Sequence, residues 1–164
     1  MNNPDLALLI LRVSFGLSMA FHGYNKIFST SGLSGTSAWF ASIGMKWPQR
    51  QAQLAAITEI VAGLLMAAGL LLWPSSVAFI ALMTVAIVTV HWRVGYFIFL
   101  PNGGWEYCAA IMSVATVLGM LGGGSYSLDH QLNIDVNYGL WALPAGIVLA
   151  LCHLAISYRP TQTK

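Results

Sequence analysis

The segment that most constrains the fold is an apolar run over residues 6–28, because about 20 such residues suffice to cross a bilayer. The run nevertheless carries Arg12, His22 and Lys26. At about 100° per residue, these three side chains fall within an arc of roughly 80° on one helical face. Ionisable groups inside a membrane usually face a bundle interior or a water-filled cavity, so this face predicts that other helices surround it.

The composition of the whole chain is typical of a membrane protein. Its 164 residues are 57% hydrophobic and 7% charged, whereas soluble domains carry about 25% charged residues. We therefore predict a single integral membrane domain over residues 1–164, in contact with the lipid bilayer. The formal net charge of +2 and the lack of a basic run give no indication of nucleic-acid binding.

Apolar segments separated by turn residues predict five transmembrane helices. Residues 29–51 are rich in Ser and Gly and place tryptophans beside basic residues, which predicts an interfacial segment. Tight turns are expected at residues 73–76 and 101–104. The predicted helices are residues 6–28, 52–72, 77–99, 105–121 and 138–158.

The distribution of charge among the loops predicts the orientation in the membrane. Five spans place the N-terminus and two loops on one side, with Asp5, Asp129 and Asp135. The positive-inside rule makes the opposite side cytoplasmic, so we expect the N-terminus outside and the C-terminus in the cytoplasm. The basic residues of the cytoplasmic side are Lys46, Arg50, Arg93, Arg159 and Lys164.

Most ionisable residues of the predicted spans lie at a similar depth near the cytoplasmic side. At 1.5 Å per residue, His22 lies roughly 9 Å, Glu59 roughly 10 Å and His91 roughly 12 Å from that end. Lys26 lies nearer the interface and could neutralise Glu59, whereas Arg12 lies deeper and could pair with Glu59 or cap a backbone defect. If these side chains converge, they form a polar pocket whose histidines could transfer protons or bind a quinone-like carbonyl.

Several of these residues also have a structural interpretation. Glu59 could belong to a purely structural ion pair, and Lys26 and Glu106 could extend to the interface. His91 precedes a tryptophan and could anchor the chain there. His153, in the last predicted helix, is interpreted as structural.

Metal and haem binding are alternatives to quinone binding. Three His and two Glu could form a mononuclear metal site, and two His on separate helices could ligate haem. The ExxH pairs of carboxylate-bridged di-metal bundles are missing from the sequence. We predict no metal site.

The first apolar run, LILRVSFGLSMAFHGYNKIF, resembles the opening of the DoxX family of small bacterial membrane proteins. In that family an LLLR start is followed by a helix that ends in HG and a Lys. The resemblance continues in an E-x-x-x-G helix at Glu59 and Gly63, and GGGSYSLDH resembles the closing G-x-G-x-x-S-L-D. It spans residues 6–130, and the other matching positions are Gly35, Phe40, Gly44, Pro48, Gly69, His91 and Glu106.

The resemblance implies a four-helix transmembrane bundle in a bacterial plasma membrane. The predicted fifth, C-terminal transmembrane helix is an addition to that pattern. Because the family includes quinol oxidase and thiosulfate:quinone oxidoreductase subunits, the resemblance also implies a redox-linked role near the quinone pool. The implied cofactor is quinone, and the implied partner is a soluble or membrane redox protein.

We interpret the chain as a subunit of a quinone-linked oxidoreductase. The alternatives are a membrane enzyme that acts on a lipophilic small molecule by acid–base chemistry, and a non-enzymatic scaffold or transporter. Small-residue faces on the second predicted helix would also allow a homo-oligomer. The predicted catalytic residues are His22, Glu59 and His91, and the predicted substrate-binding residues are Arg12, Lys26, Glu106 and Tyr24.

Overall fold

The computed structural model describes residues 3–134 and 136–160, and within them the chain is an all-α membrane bundle. Asp135 and Lys164, which enter the predicted charge distribution, lie outside the described residues. A π-helical turn, Ile87–His91, continues the fourth helix, and a 3-10 helix, Gly139–Trp141, precedes the last. The α-helices are α1 (Asn3–Phe28), α2 (Gly32–Ser42), α3 (Pro48–Ala68), α4 (Leu72–Ala86), α5 (Glu106–Leu121), α6 (Leu128–Gln131) and α7 (Ala142–Ser157).

In the part of the chain that the structure describes, four helical stretches are long and apolar enough to cross a membrane. They have mean hydropathies between 1.4 and 2.0. The fourth predicted span, residues 105–121, corresponds to α5, an apolar helix of 16 residues, which at about 24 Å is shorter than a hydrocarbon core of roughly 30 Å. The four stretches are Asn3–Phe28, Pro48–Ala68, Leu72–His91 and Gly139–Ser157.

A close backbone contact joins α1 to α3 and depends on two glycines. A Cβ atom on Gly16 would lie 2.6 Å from the carbonyl oxygen of Gly63, and a Cβ atom on Gly63 would lie 2.6 Å from the carbonyl oxygen of Gly16. Small residues allow this approach, and lipid-embedded helices associate largely through such packing. The register of α1 against α3 is therefore set by the absence of two side chains.

The turn expected at residues 73–76 is wrong, because α4 already begins at Leu72. Pro74 lies in the first turn of that helix, where its missing N–H group would have no helical partner. The chain reverses instead at Gly69, with φ of 68°, and at Leu71, with φ of 50°. Glycine adopts this left-handed conformation at little cost.

The helix predicted over residues 77–99 is displaced toward the N-terminus. It starts at Leu72 and ends with the π-helical turn at His91. The chain then folds back on itself: Trp105 N donates to Gly95 O over 3.0 Å, where Gly95 has φ of 116°. Glycines in this loop outweigh the apolar composition that predicted a longer helix.

The buried guanidinium of Arg12 ties α1 to two other parts of the chain. Arg12 is 2% exposed, and its two terminal nitrogens donate to the carbonyl oxygens of Ala67 and Tyr126. One acceptor lies at the end of α3, and the other lies in the loop that follows α5. The planar fork of arginine suits such a two-pronged contact.

Asp129, in the short helix α6 that follows this loop, completes the arrangement. Its carboxylate accepts hydrogen bonds from Leu71 N over 2.8 Å and from Leu72 N over 2.9 Å, at the start of α4. A carboxylate there satisfies free N–H groups and interacts favourably with the helix dipole. Its own N–H group donates to Gly69 O. Ser127 packs against Gly69, where an added Cβ atom would lie 2.6 Å from Ser127 Cβ. We call Arg12, Gly69, Ser127 and Asp129 the clasp.

We expect Gly63→Ala to lower the thermal stability of the purified protein. The added methyl group meets backbone atoms of α1, which cannot rotate away, and such overpacking costs about 1–3 kcal/mol. Val61→Ile adds one carbon on the same helix at a side chain that is 50% exposed, and serves as the control. Equal unfolding temperatures for the two variants in detergent would contradict the close α1–α3 contact.

Replacing Arg12 should also destabilise the fold. Arg12→Met leaves the carbonyl groups of Ala67 and Tyr126 without their donors, and a hydrogen bond to a charged group contributes about 1.5–3 kcal/mol. Arg50→Met removes the same charge from an exposed position and is the control. We expect faster amide exchange around the clasp in Arg12→Met alone; unchanged exchange there would refute the role of Arg12.

Candidate functional site

An apolar cavity of about 370 Å³ lies between α1, α2, α3, α4 and α7, at the end of the bundle opposite the clasp. Alanine, leucine, valine and methionine side chains form most of its walls, and two aromatic side chains of α2 contribute to them. Sites for small molecules commonly combine such walls with a few placed polar groups. The polar residues that line it are Lys26, Gln51, Thr58, Glu59, Thr89, His91 and His153.

The polar centre of the cavity is an ion pair between α1 and α3. Lys26 Nζ lies 2.6 Å from Glu59 Oε2, and the two side chains are 23% and 8% exposed. The pair is possible because α1 approaches α3 closely at Gly23, where an added Cβ atom would lie 2.6 Å from Ala56 O. A charged pair in apolar surroundings is costly to break, since either residue alone would leave a buried charge unpaired.

His91 reaches the cavity from the π-helical turn that ends the α4 stretch. Its Nδ1 atom lies 2.8 Å from Gly103 O. Because a carbonyl oxygen only accepts hydrogen bonds, Nδ1 must carry a proton, and the neutral ring then presents Nε2 as an acceptor. Single π-helical turns often occur at functional sites.

Helix α7 forms part of the cavity wall, through Leu149, Ala150 and His153. His153 was predicted to be structural, and no local sequence pattern indicates which helices its face meets. Gln51 was missed for a similar reason, since it lies in a polar stretch that was assigned to the interface. Its position near the start of an otherwise apolar helix is the signal that could have drawn attention to it.

The other predicted site residues do not line this cavity. His22 and Tyr24 are exposed on α1, and the Tyr24 ring packs against Phe28 with a centroid distance of 4.5 Å. Glu106 accepts a hydrogen bond from Ile98 N over 3.0 Å, and Arg12 belongs to the clasp. Lys26, Glu59 and His91 are therefore the predicted residues that the structure brings to one cavity, and the roles of all seven stay predictions.

A second, more polar cavity of about 330 Å³ lies beside the clasp. Its two carboxylates are already engaged: Asp129 caps α4, and Asp5 accepts from Ser125 Oγ over 2.7 Å. Within residues 3–134 and 136–160, no three His, Cys, Asp or Glu residues are grouped as metal ligands would be.

The comparisons with known proteins place this architecture in a family. The DoxX family model matches residues 7–92. The chain is also 30% identical, over 114 residues, to the Bacillus subtilis (strain 168) protein named "Putative oxidoreductase CatD". This alignment covers 70% of this chain and 79% of that protein. No solved structure matches the chain. Because the family model matches just over half of the 164 residues, the chain belongs to the DoxX family.

Proposed function

We propose that this DoxX-family protein is the membrane subunit of a quinone-linked oxidoreductase and that its apolar cavity binds the quinone ring. The observation that carries the proposal is the ion pair of Lys26 and Glu59 inside a cavity with otherwise apolar walls. A purely structural pair would not need an adjoining space of about 370 Å³. The name of the Bacillus subtilis relative, "Putative oxidoreductase CatD", agrees with this class of activity.

The chemistry of the cavity wall fits a quinone. A volume of about 370 Å³ falls within the range of roughly 300–1,000 Å³ that is usual for small-molecule sites. Trp39 and Phe40 supply aromatic surface for a flat ring. The ammonium group of Lys26 has three donors and gives one to Glu59, so it can also donate to a quinone carbonyl oxygen.

The remaining polar groups suit proton transfer to that ring. Reduction of a quinone to a quinol consumes two electrons and two protons, and in this proposal the electrons come from a redox partner protein. Lys26 and Glu59 provide one proton-exchanging group beside the ring, and His91 provides another. His91 Nε2, free of protein hydrogen bonds in the described residues, can exchange a proton without disturbing the bond to Gly103.

The double variant Lys26→Met/Glu59→Gln tests the binding site without leaving a buried charge unpaired. Menadione is a small naphthoquinone. Its binding should weaken by at least about ten-fold without the Lys26 ammonium group, which donates to the quinone carbonyl oxygen, since hydrogen bonds to charged groups contribute about 1.5–3 kcal/mol. The measurement is quenching of tryptophan fluorescence in detergent micelles, corrected for partitioning of menadione into empty micelles.

Lys46→Met is the control, because Lys46 lies at the same end of the bundle and its Nζ atom donates to the exposed carbonyl oxygen of Ile156. It should bind menadione as the wild-type protein does. A double variant with the wild-type dissociation constant would contradict the proposed site. A wild-type protein that binds no menadione would contradict the quinone proposal itself and favour a scaffold.

A further inference from the structure

The packing of α7 directs His153 toward the cavity. A Cβ atom on Gly146 would lie 2.6 Å from the side chain of Ile80 and 2.9 Å from Val77 O, so α7 and α4 approach closely there. His153 follows Gly146 by seven residues, which is about two helical turns, and so lies on the same face. The contact at Gly146 therefore determines which side chains of α7 line the cavity.

The end of α7 is hydrogen-bonded to a segment that contributes to the cavity wall. Lys46 N donates to Ser157 O over 2.7 Å, and Arg159 N donates to Gly44 O over 2.9 Å. These bonds join α7 to the segment between α2 and α3, whose residue Met45 also lines the cavity. The position of His153 is thus fixed from both ends of its helix.

Two polar side chains of the cavity lining have no side-chain hydrogen bond to another described residue. Gln51 is 8% exposed and lines the cavity from α3, and neither its amide group nor the His153 ring takes part in a side-chain hydrogen bond. The polar atoms of both side chains are accessible from the cavity, so a ligand that enters it can offer them a partner.

We infer that Gln51 and His153 form a second polar subsite, which recognises a second oxygen atom on the ring bound by Lys26. Gln51 precedes Glu59 by eight residues on α3, about 12 Å along the helix axis, so the two polar ends are separated along the cavity. The preferred ligand then carries oxygens at opposite ends of one flat ring system, as a para-quinone does. This inference rests on the proposed function, and it makes Gln51 and His153 specificity-determining residues.

The test compares two ligands with the same fused two-ring skeleton. Menadione has two carbonyl oxygens, and tetralone has one. The wild-type protein should bind menadione at least about ten-fold more tightly, the ratio expected when a buried polar subsite loses its partner. Tetralone affinity is measured by displacement of menadione in the fluorescence assay.

Removal of the second subsite should abolish this preference. In Gln51→Met/His153→Leu the ratio of the two dissociation constants should fall to about one, through weaker binding of menadione, because each substituted side chain lacks hydrogen-bonding atoms of the original kind. Each single variant should lower the ratio in part. The single variants test the second subsite if the double variant does not fold. Gln53 and His130 are exposed residues of the same types, so Gln53→Leu and His130→Leu should retain the wild-type ratio of dissociation constants.

Failure of this inference can be told apart from failure of the proposed function. If the wild-type protein binds both ligands equally and Lys26→Met/Glu59→Gln weakens both, the quinone site stands and the second subsite is overturned. If the wild-type protein binds neither ligand, both are overturned. A ratio unchanged in Gln51→Met/His153→Leu likewise overturns the second subsite.

Discussion

The contact between α1 and α3 at Gly16 and Gly63 is the constraint on which the rest of the bundle depends. Each glycine lies where a methyl group would meet the backbone of the other helix. Two helices that touch through their backbones cannot slide or rotate without a clash. This contact therefore determines which side chains of α1 meet which side chains of α3 along their whole shared length.

Because the register is fixed, basic residues toward the two ends of α1 meet different partners on α3. Toward one end, Arg12 reaches the carbonyl oxygen of Ala67 at the close of α3. Toward the other end, Lys26 meets Glu59 beside the large apolar cavity. A basic residue inside a membrane needs a partner. Arg12 is partnered by backbone carbonyl groups and so joins α1 to other parts of the structure. Lys26 is partnered by the carboxylate of Glu59 beside the cavity, and this pair forms the candidate site.

The clasp explains several sequence features that carry the family resemblance. Gly69 must lack a side chain because a Cβ atom there would lie 2.6 Å from Ser127 Cβ. Ser127 accepts a hydrogen bond from His130 N and so begins the short helix α6. Asp129 in turn caps α4. The S-L-D motif thus secures a loop to two helix ends, at a distance from the cavity.

Much of the fold follows from the sequence, because apolar length and charge depth are strong signals in a membrane protein. The pairing of Lys26 with Glu59 was among the possibilities that their shared depth raised. The features that the sequence did not predict also have physical reasons. Depth along a helix does not specify its rotation, so the sequence could not show that the His22 side chain is exposed and does not line the cavity. Contacts of α7, which bring His153 to the cavity, depend on tertiary packing at Gly146 that no local pattern encodes.

The most direct test is a density map of the protein in lipid nanodiscs with added menaquinone, by electron cryo-microscopy with a bound antibody fragment to add mass. The account predicts ring-shaped density in the cavity between the Lys26–Glu59 pair and the α7 wall, with a carbonyl oxygen within hydrogen-bond distance of Lys26 Nζ. A cavity that stays filled only by lipid acyl chains at saturating menaquinone, with the ion pair unchanged, would contradict it.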